Sequence, residues 1–193
     1  MTNKITNIMI VGVGGQGALL ASKTLGRLLL DRGYDVKVSE VHGMSQRGGS
    51  VVTYVRFGEK VYSPIVDKGE ADFILSFELL EAARYTQWLS PNGVIITNTQ
   101  QIDPMPVITG SATYPENLIE KIKMVAHQVE PLDCLSLAEK AGNAKAVNIV
   151  LVGKLSQYFD FPQEEWLNAI KKSVPPQFLE VNEKAFLIGR EYR

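Results

Sequence analysis

The chain predicts an α/β protein of three layers, α/β/α, built on a Rossmann-like mixed sheet with a hairpin and continued by a helical C-terminal part. Three observations carry this expectation. The run "ITNIMIVGV" at 5–13 is rich in β-branched residues, ends in glycines, and is followed by leucines and alanines at helical spacing. A second such run, from Asp35, completes a β-α-β unit. Strand and helix patterns then alternate as far as Cys134, and helical patterns fill the rest. A length of 193 residues without a visible linker fits one domain over 1–193.

The elements follow in order. Residues 5–13 read as a buried strand entering a tight turn, and 18–32 as a helix stopped by Gly33. The second strand is 35–41. "SVVTYVRF" at 50–57 alternates as a strand with one face covered, and Gly58 and Glu59 are expected to turn it into "KVYSPIV" at 60–66 as a hairpin. Strands are expected at 71–76 and 94–98, with a short one at 106–109, and helices at 78–89 and 116–128. A last strand is read at 129–134. Gly142 is placed to close a helix in the left-handed conformation and Asn143 to cap the next, 144–159, which is apolar on most faces and so buried or partnered. An amphipathic helix over 161–176 ends at Pro175 and Pro176, and a terminal helix covers 177–192.

Composition narrows the function classes. The net charge of -1 with 21% charged residues offers no cationic excess for a phosphate backbone, so no nucleic-acid partner is expected. The N-terminal apolar run lacks the cationic leader and cleavage site of a signal peptide, and "AVNIVLVGKL" falls short of the roughly 20 residues that span a bilayer. No membrane association is expected. The single cysteine, Cys134, excludes an intrachain disulfide and a thiolate metal site of its own, fits a reducing cytoplasm, and reads as a small buried hydrophobe.

Two glycine loops carry what chemistry is visible. Gly12, Gly14 and Gly17 satisfy G-x-G-x-x-G between a strand and a helix, with Glu40 near the end of the second strand. Glycines there permit close backbone approach, and a helix N-terminus offers N–H groups to an anion. The same glycines also serve a tight turn and close helix packing, and both readings stand. Gly15 and Gln16 make the turn unusually polar, and a second glycine loop, "EVHGMSQRGGS" at 40–50, follows where a nicotinamide fold would place another β-α unit. In that loop Arg47 can fork onto a phosphate or carboxylate, Ser45 and Gln46 can add neutral hydrogen bonds, and Gly43, Gly48 and Gly49 permit unusual backbone angles. Neither His42 nor His127 has companions that suggest a metal or a base, and no residue is nominated as catalytic.

Taken together, "GVGGQG" at 12–17 and "SEVHGMSQRGGSVVTYVRFG" at 39–58 resemble the gamma-type subunit or domain of 2-oxoacid:ferredoxin oxidoreductases, and the wording of the second loop resembles the aryl-pyruvate type. "VYSPIVDKGEADFILSFELLEAARY", "GVIITNTQ" and "AEKAGNAKAVNIVLVGKL" agree in order, so the resemblance covers nearly the whole chain. It implies an oxygen-sensitive, cytoplasmic enzyme that oxidatively decarboxylates indolepyruvate or related aryl pyruvates to the acyl-CoA. Thiamine diphosphate, Mg and [4Fe–4S] clusters are expected on a larger partner subunit, which passes electrons to ferredoxin. Coenzyme A is expected as co-substrate. One cysteine cannot ligate a [4Fe–4S] cluster, in keeping with that division. Pyruvate or ketoisovalerate chemistry, a self-sufficient nicotinamide or flavin enzyme, and a free-standing Rossmann-like binding or assembly module are the alternatives.

On this basis the two loops are expected side by side at the carboxyl ends of the first strands. Gly12, Gly14, Gly15, Gln16 and Gly17 would supply backbone donors, and Ser45, Arg47, Gly48 and Gly49 would complete a surface toward the coenzyme A path or the partner's active site. Glu40 and Asn148 are further candidates. A buried amide such as Asn148 needs a partner, either a neighbouring backbone group or the partner subunit. The apolar helix from Ala144, with Tyr85, Trp88 and Trp166, would either cover an interface, including self-association of an isolated chain, or belong to the core.

Overall fold

A computed structural model describes residues 5–40 and 48–193. Six strands form one mixed sheet: β1 (Thr6–Val13), β2 (Asp35–Glu40), β3 (Ser50–Gly58), β4 (Ala71–Ser76), β5 (Leu89–Asn98) and β6 (Gln128–Leu132). Their spatial order is β2-β3-β1-β4-β5-β6. β1, β4, β5 and β6 run parallel, whereas β3 is antiparallel to both of its neighbours, β1 and β2. The helices are α1 (Ala18–Asp31), α2 (Leu79–Arg84), α3 (Met105–Ile108), α4 (Leu118–Lys123), α5 (Cys134–Ala141), α6 (Val147–Leu155), α7 (Gln163–Lys171) and α8 (Leu179–Glu191).

Strand periodicity explains the layers. Four consecutive apolar residues in β1 divide between two faces, as a strand covered on both sides requires. Ile8 and Ile10 enter the core beneath α1, α5, α6, α7 and α8. Met9 and Val11 enter the opposite core beneath α2 and α4. The expected three-layer mixed fold is present, with the larger core on the first face. Among the described residues no helix is long and apolar enough to cross a membrane.

The apolar helix read from Ala144 is α6, preceded by a single 3-10 turn, and Asn148 to Leu155 are all buried. It lies inside the chain against α8, so it is not a free surface for self-association. The crossing is close: a Cβ on Gly153 would come within 2.2 Å of the Phe186 carbonyl, and one on Gly189 within 2.0 Å of the Val150 carbonyl. Gly142 takes the left-handed conformation at the end of α5 (φ 112°), and the Asn143 side chain accepts from the Lys145 amide, as read from the sequence. Trp166 is core, stacked on Phe186, while Tyr85 and Trp88 pack on each other at the margin of the second core.

Several local expectations are corrected. The hairpin after Gly58 does not form, and residues 60–66 carry no strand; the antiparallel partners of β3 are β1 and β2. Side chains bind this segment's backbone in place of a ladder. Arg56 donates to the Ser63 and Ile65 carbonyls, and the Val61 amide donates to Asp35. Asp35 is held well below the usual carboxylate range, at about 2, by the Lys37 ammonium and the Val61 amide. Pro64 lacks an N–H for pairing. Residues 105–108 are a helix, with Pro106 in a first turn that needs no amide donor. The helix read over 78–89 stops at Arg84, because β5 already begins at Leu89 beside Ala71. The helix read over 116–128 shortens to α4, and the strand read over 129–134 is Gln128–Leu132, leaving Cys134 to open α5.

The α6/α8 crossing makes a testable contrast. Gly153→Ala should destabilise the chain by about 2–3 kcal/mol, since both backbones must part. Gly26→Ala, in α1 with nothing nearer than 3.8 Å to its Cβ, should stabilise it by about 0.5–1 kcal/mol. Urea denaturation midpoints should move in opposite directions.

Candidate functional site at the carboxyl edge

β3 returns antiparallel from β2, so the connection between them must turn at the carboxyl edge of the sheet, the edge where β1 also ends. The two glycine loops therefore meet. Val13 pairs with Ser50, and the Gly14 amide donates to the Gly49 carbonyl at 2.9 Å. Ser45 and Arg47 lie outside the described residues. Gly48 is exposed with φ 94°, and Gly15 forms the open tip of the first loop with φ 99°.

The first loop is tied down by Gln16. Its Oε1 accepts from the Val13 amide (2.8 Å), and its Nε2 donates to the Phe77 carbonyl (3.0 Å) and reaches Gln100 (3.4 Å). The Gln16 amide itself donates to the Val13 carbonyl. Of the expected backbone donors, those of Gly14 and Gln16 are thus used within the site. Gly12 serves close packing, since a Cβ there would meet Gln16 Oε1 at 2.9 Å and Phe77 Cβ at 3.0 Å.

Neutral amides extend this bracing across the sheet. Buried Asn98 donates to the Phe77 carbonyl (3.1 Å) and accepts from the Cys134 amide (3.2 Å), joining the ends of β4, β5 and β6. Asn148 donates to the Gly17 carbonyl (3.2 Å) from the first turn of α6. Its Oδ1 accepts from the Ile149 amide (2.9 Å), so both partners are backbone groups, one of them in the glycine loop. Gly17, left-handed at φ 90°, has no room for a side chain, because a Cβ would lie 2.5 Å from Asn148 Nδ2. Cys134 is fully buried, and burial pushes its thiol well above the ordinary range, so it is not a nucleophile.

Clefts flank this ridge. One of about 330 Å³ runs from Val13 to Leu19 on one wall and Glu40, Val51 and Thr53 on the other. Another, of about 450 Å³, lies between Gly15–Gly17, Gln100, Leu135, Lys145 and Asn148. Glu40 accepts from Ser22 (2.8 Å) and sits opposite Thr53, so β3 separates it from β1. Where a dinucleotide fold brings its acidic residue one strand from the loop, here it is two strand spacings away, about 10 Å. β3 thus lies between Glu40 and β1, while the Glu40 side chain still lines one cleft with the first glycine loop.

Sequence reasoning passed over Asn98, Gln100 and two acids in "FELLE", Glu78 and Glu81, both buried beside the second loop. The spacing of the acids at the start of a helix is the signal, since an acid at the cap and another three residues on form a capping pair. Here Glu78 accepts from the Glu81 amide (2.8 Å).

Comparison with known proteins gives consistent matches over nearly the whole chain. The family model described as pyruvate ferredoxin/flavodoxin oxidoreductase matches residues 7–192. Indolepyruvate oxidoreductase subunit IorB of Thermococcus kodakarensis is 47% identical over 190 residues, covering 95% of this chain and 93% of that protein. The pyruvate/ketoisovalerate oxidoreductases common subunit gamma of Pyrococcus abyssi is 25% identical over 177 residues, covering 90% and 89%. Among solved structures, the gamma subunit of a keto/oxoacid ferredoxin oxidoreductase from Geobacter sulfurreducens has the same fold, with TM-score 0.71, 22% identity and 96% of each chain covered.

The amide bracing predicts a stability cost at one buried position. Asn98→Ala leaves the Phe77 carbonyl and the Cys134 amide without that partner and should cost about 1–3 kcal/mol in urea denaturation.

Proposed function

Because the chain belongs to the pyruvate ferredoxin/flavodoxin oxidoreductase family, we propose that it is the smaller, cofactor-free subunit of a 2-oxoacid:ferredoxin oxidoreductase that converts indolepyruvate or related aryl pyruvates to their acyl-CoA products. The observation that carries this reading is the 47% identity with a subunit named for indolepyruvate, set against 25% for one named for pyruvate and ketoisovalerate. The second loop, "EVHGMSQRGG", supports the same substrate class. The competing nicotinamide reading rests on the first loop and Glu40, which share one cleft; the family match over residues 7–192 speaks against it.

In this proposal thiamine diphosphate and [4Fe–4S] clusters reside on the larger subunit and supply the decarboxylation and the one-electron transfer to ferredoxin. The residues of this chain are suited to binding and positioning. Its cysteine is single and buried, so it has no thiolate set for a cluster. Gly15 and Gly48 present backbone without side chains at the carboxyl edge, where open α/β sheets receive ligands. Arg47 would add a forked cation for a phosphate of coenzyme A or a carboxylate of the partner. Exposed Leu19, Met105 and Leu135 around the same clefts supply apolar area for subunit contact.

Anaerobic co-expression with a thiamine and iron–sulfur subunit should give coenzyme A-dependent reduction of a one-electron dye that requires both chains and is fastest with indolepyruvate or phenylpyruvate. Chains that neither associate nor reduce the dye with any 2-oxoacid would overturn the proposal. Arg47→Ala should raise the apparent KM for coenzyme A or weaken assembly about tenfold, the size of one lost charge-assisted contact. Unchanged values for both would remove Arg47 from the site.

A further inference from the structure

Two carboxylates are buried where helix α2 passes under the second glycine loop. Glu78 and Glu81 are 1% and 2% exposed. Glu78 accepts from the Tyr114 hydroxyl (2.6 Å), the Ile102 amide (3.0 Å) and the Glu81 amide (2.8 Å). Glu81 accepts from the Ser50 hydroxyl and from Arg84 (2.6 Å). Asp103 lines the same small cavity, of about 160 Å³, together with Gly48 and Gly49.

A buried acid with this surrounding is expensive to keep ionised. Burial raises the pKa of Glu81, and Glu78 pushes the same way, against the hydrogen bond from Ser50 and the charge of Arg84. A raised folded-state pKa means that stability from this group is full at low pH and is lost as pH rises through that pKa. Glu81 is thus no asset to the fold at neutral pH. What its charge does provide is one strong bond to Ser50, the first residue of β3, next to the Gly49 carbonyl that receives the Gly14 amide.

We propose that Glu81 is a positioning residue of the carboxyl edge: its carboxylate, through Ser50, holds Gly49 in the register where it meets Gly14, and loss of the Ser50 hydroxyl releases that joint. The inference rests on the reading that the two loops together face coenzyme A or the partner. The groups that bear on Glu81 among the described residues are Arg84 and Glu78 on its own helix segment, Ser50 on β3, Asp103 after β5, and Tyr114 through Glu78.

The full isolated chain provides the test. Exchange of the Gly14 amide, followed by NMR and corrected for intrinsic rate, should speed up about tenfold in Ser50→Ala and in Glu81→Gln, with β4 and β5 amides unchanged. Ser50→Thr, which keeps the hydroxyl, should retain wild-type protection. In the two-chain enzyme, Ser50→Ala should raise the apparent KM for coenzyme A with kcat within about twofold of wild type. Gly14 protection that survives Ser50→Ala or Glu81→Gln would overturn the proposal, and so would an apparent KM for coenzyme A and a two-chain assembly both unchanged in Ser50→Ala. A wild-type pair inactive with every acid would count against the function proposed above, while the exchange result on the isolated chain would still decide the role of Glu81 in the joint.

Discussion

One antiparallel strand, β3, lies between β1 and β2, and the arrangement of the carboxyl edge depends on it. Strands joined in sequence and running antiparallel connect at one edge, so the chain that leaves β2 turns at the end where β1 stops. Two glycine loops thereby share a hydrogen bond between residues 35 positions apart, Gly14 and Gly49. The same strand lies between Glu40 and β1, although the Glu40 side chain and the first loop still line one cleft.

The two edges of the sheet are secured by different chemistry. At the amino edge, charges do the work: Asp35 gathers Lys37, Lys60 and the Val61 amide, and Arg56 holds the carbonyls of Ser63 and Ile65. At the carboxyl edge the braces are mostly neutral carboxamides, Gln16, Asn98, Gln100 and Asn148. Neutral partners satisfy the strand ends without a large field of either sign. An edge braced in this way leaves the local charge to be set by few groups, and Glu81 is the buried one bonded to the second loop.

Much of this was legible in the sequence, for identifiable reasons. The β-α-β front, the burial of α6, the Gly142 and Asn143 punctuation and the core placement of Cys134 all follow from periodicity or cap chemistry that a short window contains. The meeting of the loops was also expected, because loops that follow neighbouring strands gather at the carboxyl ends of an open α/β sheet. Partners from distant segments were not legible. That Asn148 would reach Gly17, 131 positions earlier, as well as Ile149 of its own helix depends on how α6 packs over α1. Glu78 and Glu81 look like ordinary solvated acids of a first turn, yet distant segments pack on them, Ile102 and Tyr114 bonding Glu78 and Ser50 bonding Glu81. The false hairpin at 60–66 had strand-like composition, but Arg56 and Asp35 had already taken its backbone.

The central claim is that this chain acts through its carboxyl edge as part of a larger oxidoreductase. The most direct test is hydrogen exchange by mass spectrometry on the chain alone and in complex with the larger subunit proposed above. The account predicts that protection gained on assembly concentrates in 12–19, 48–53 and 98–105, with 59–70 at the amino edge unchanged. Protection confined to 59–70 and 124–128, with both glycine loops exchanging as in the free chain, would contradict it.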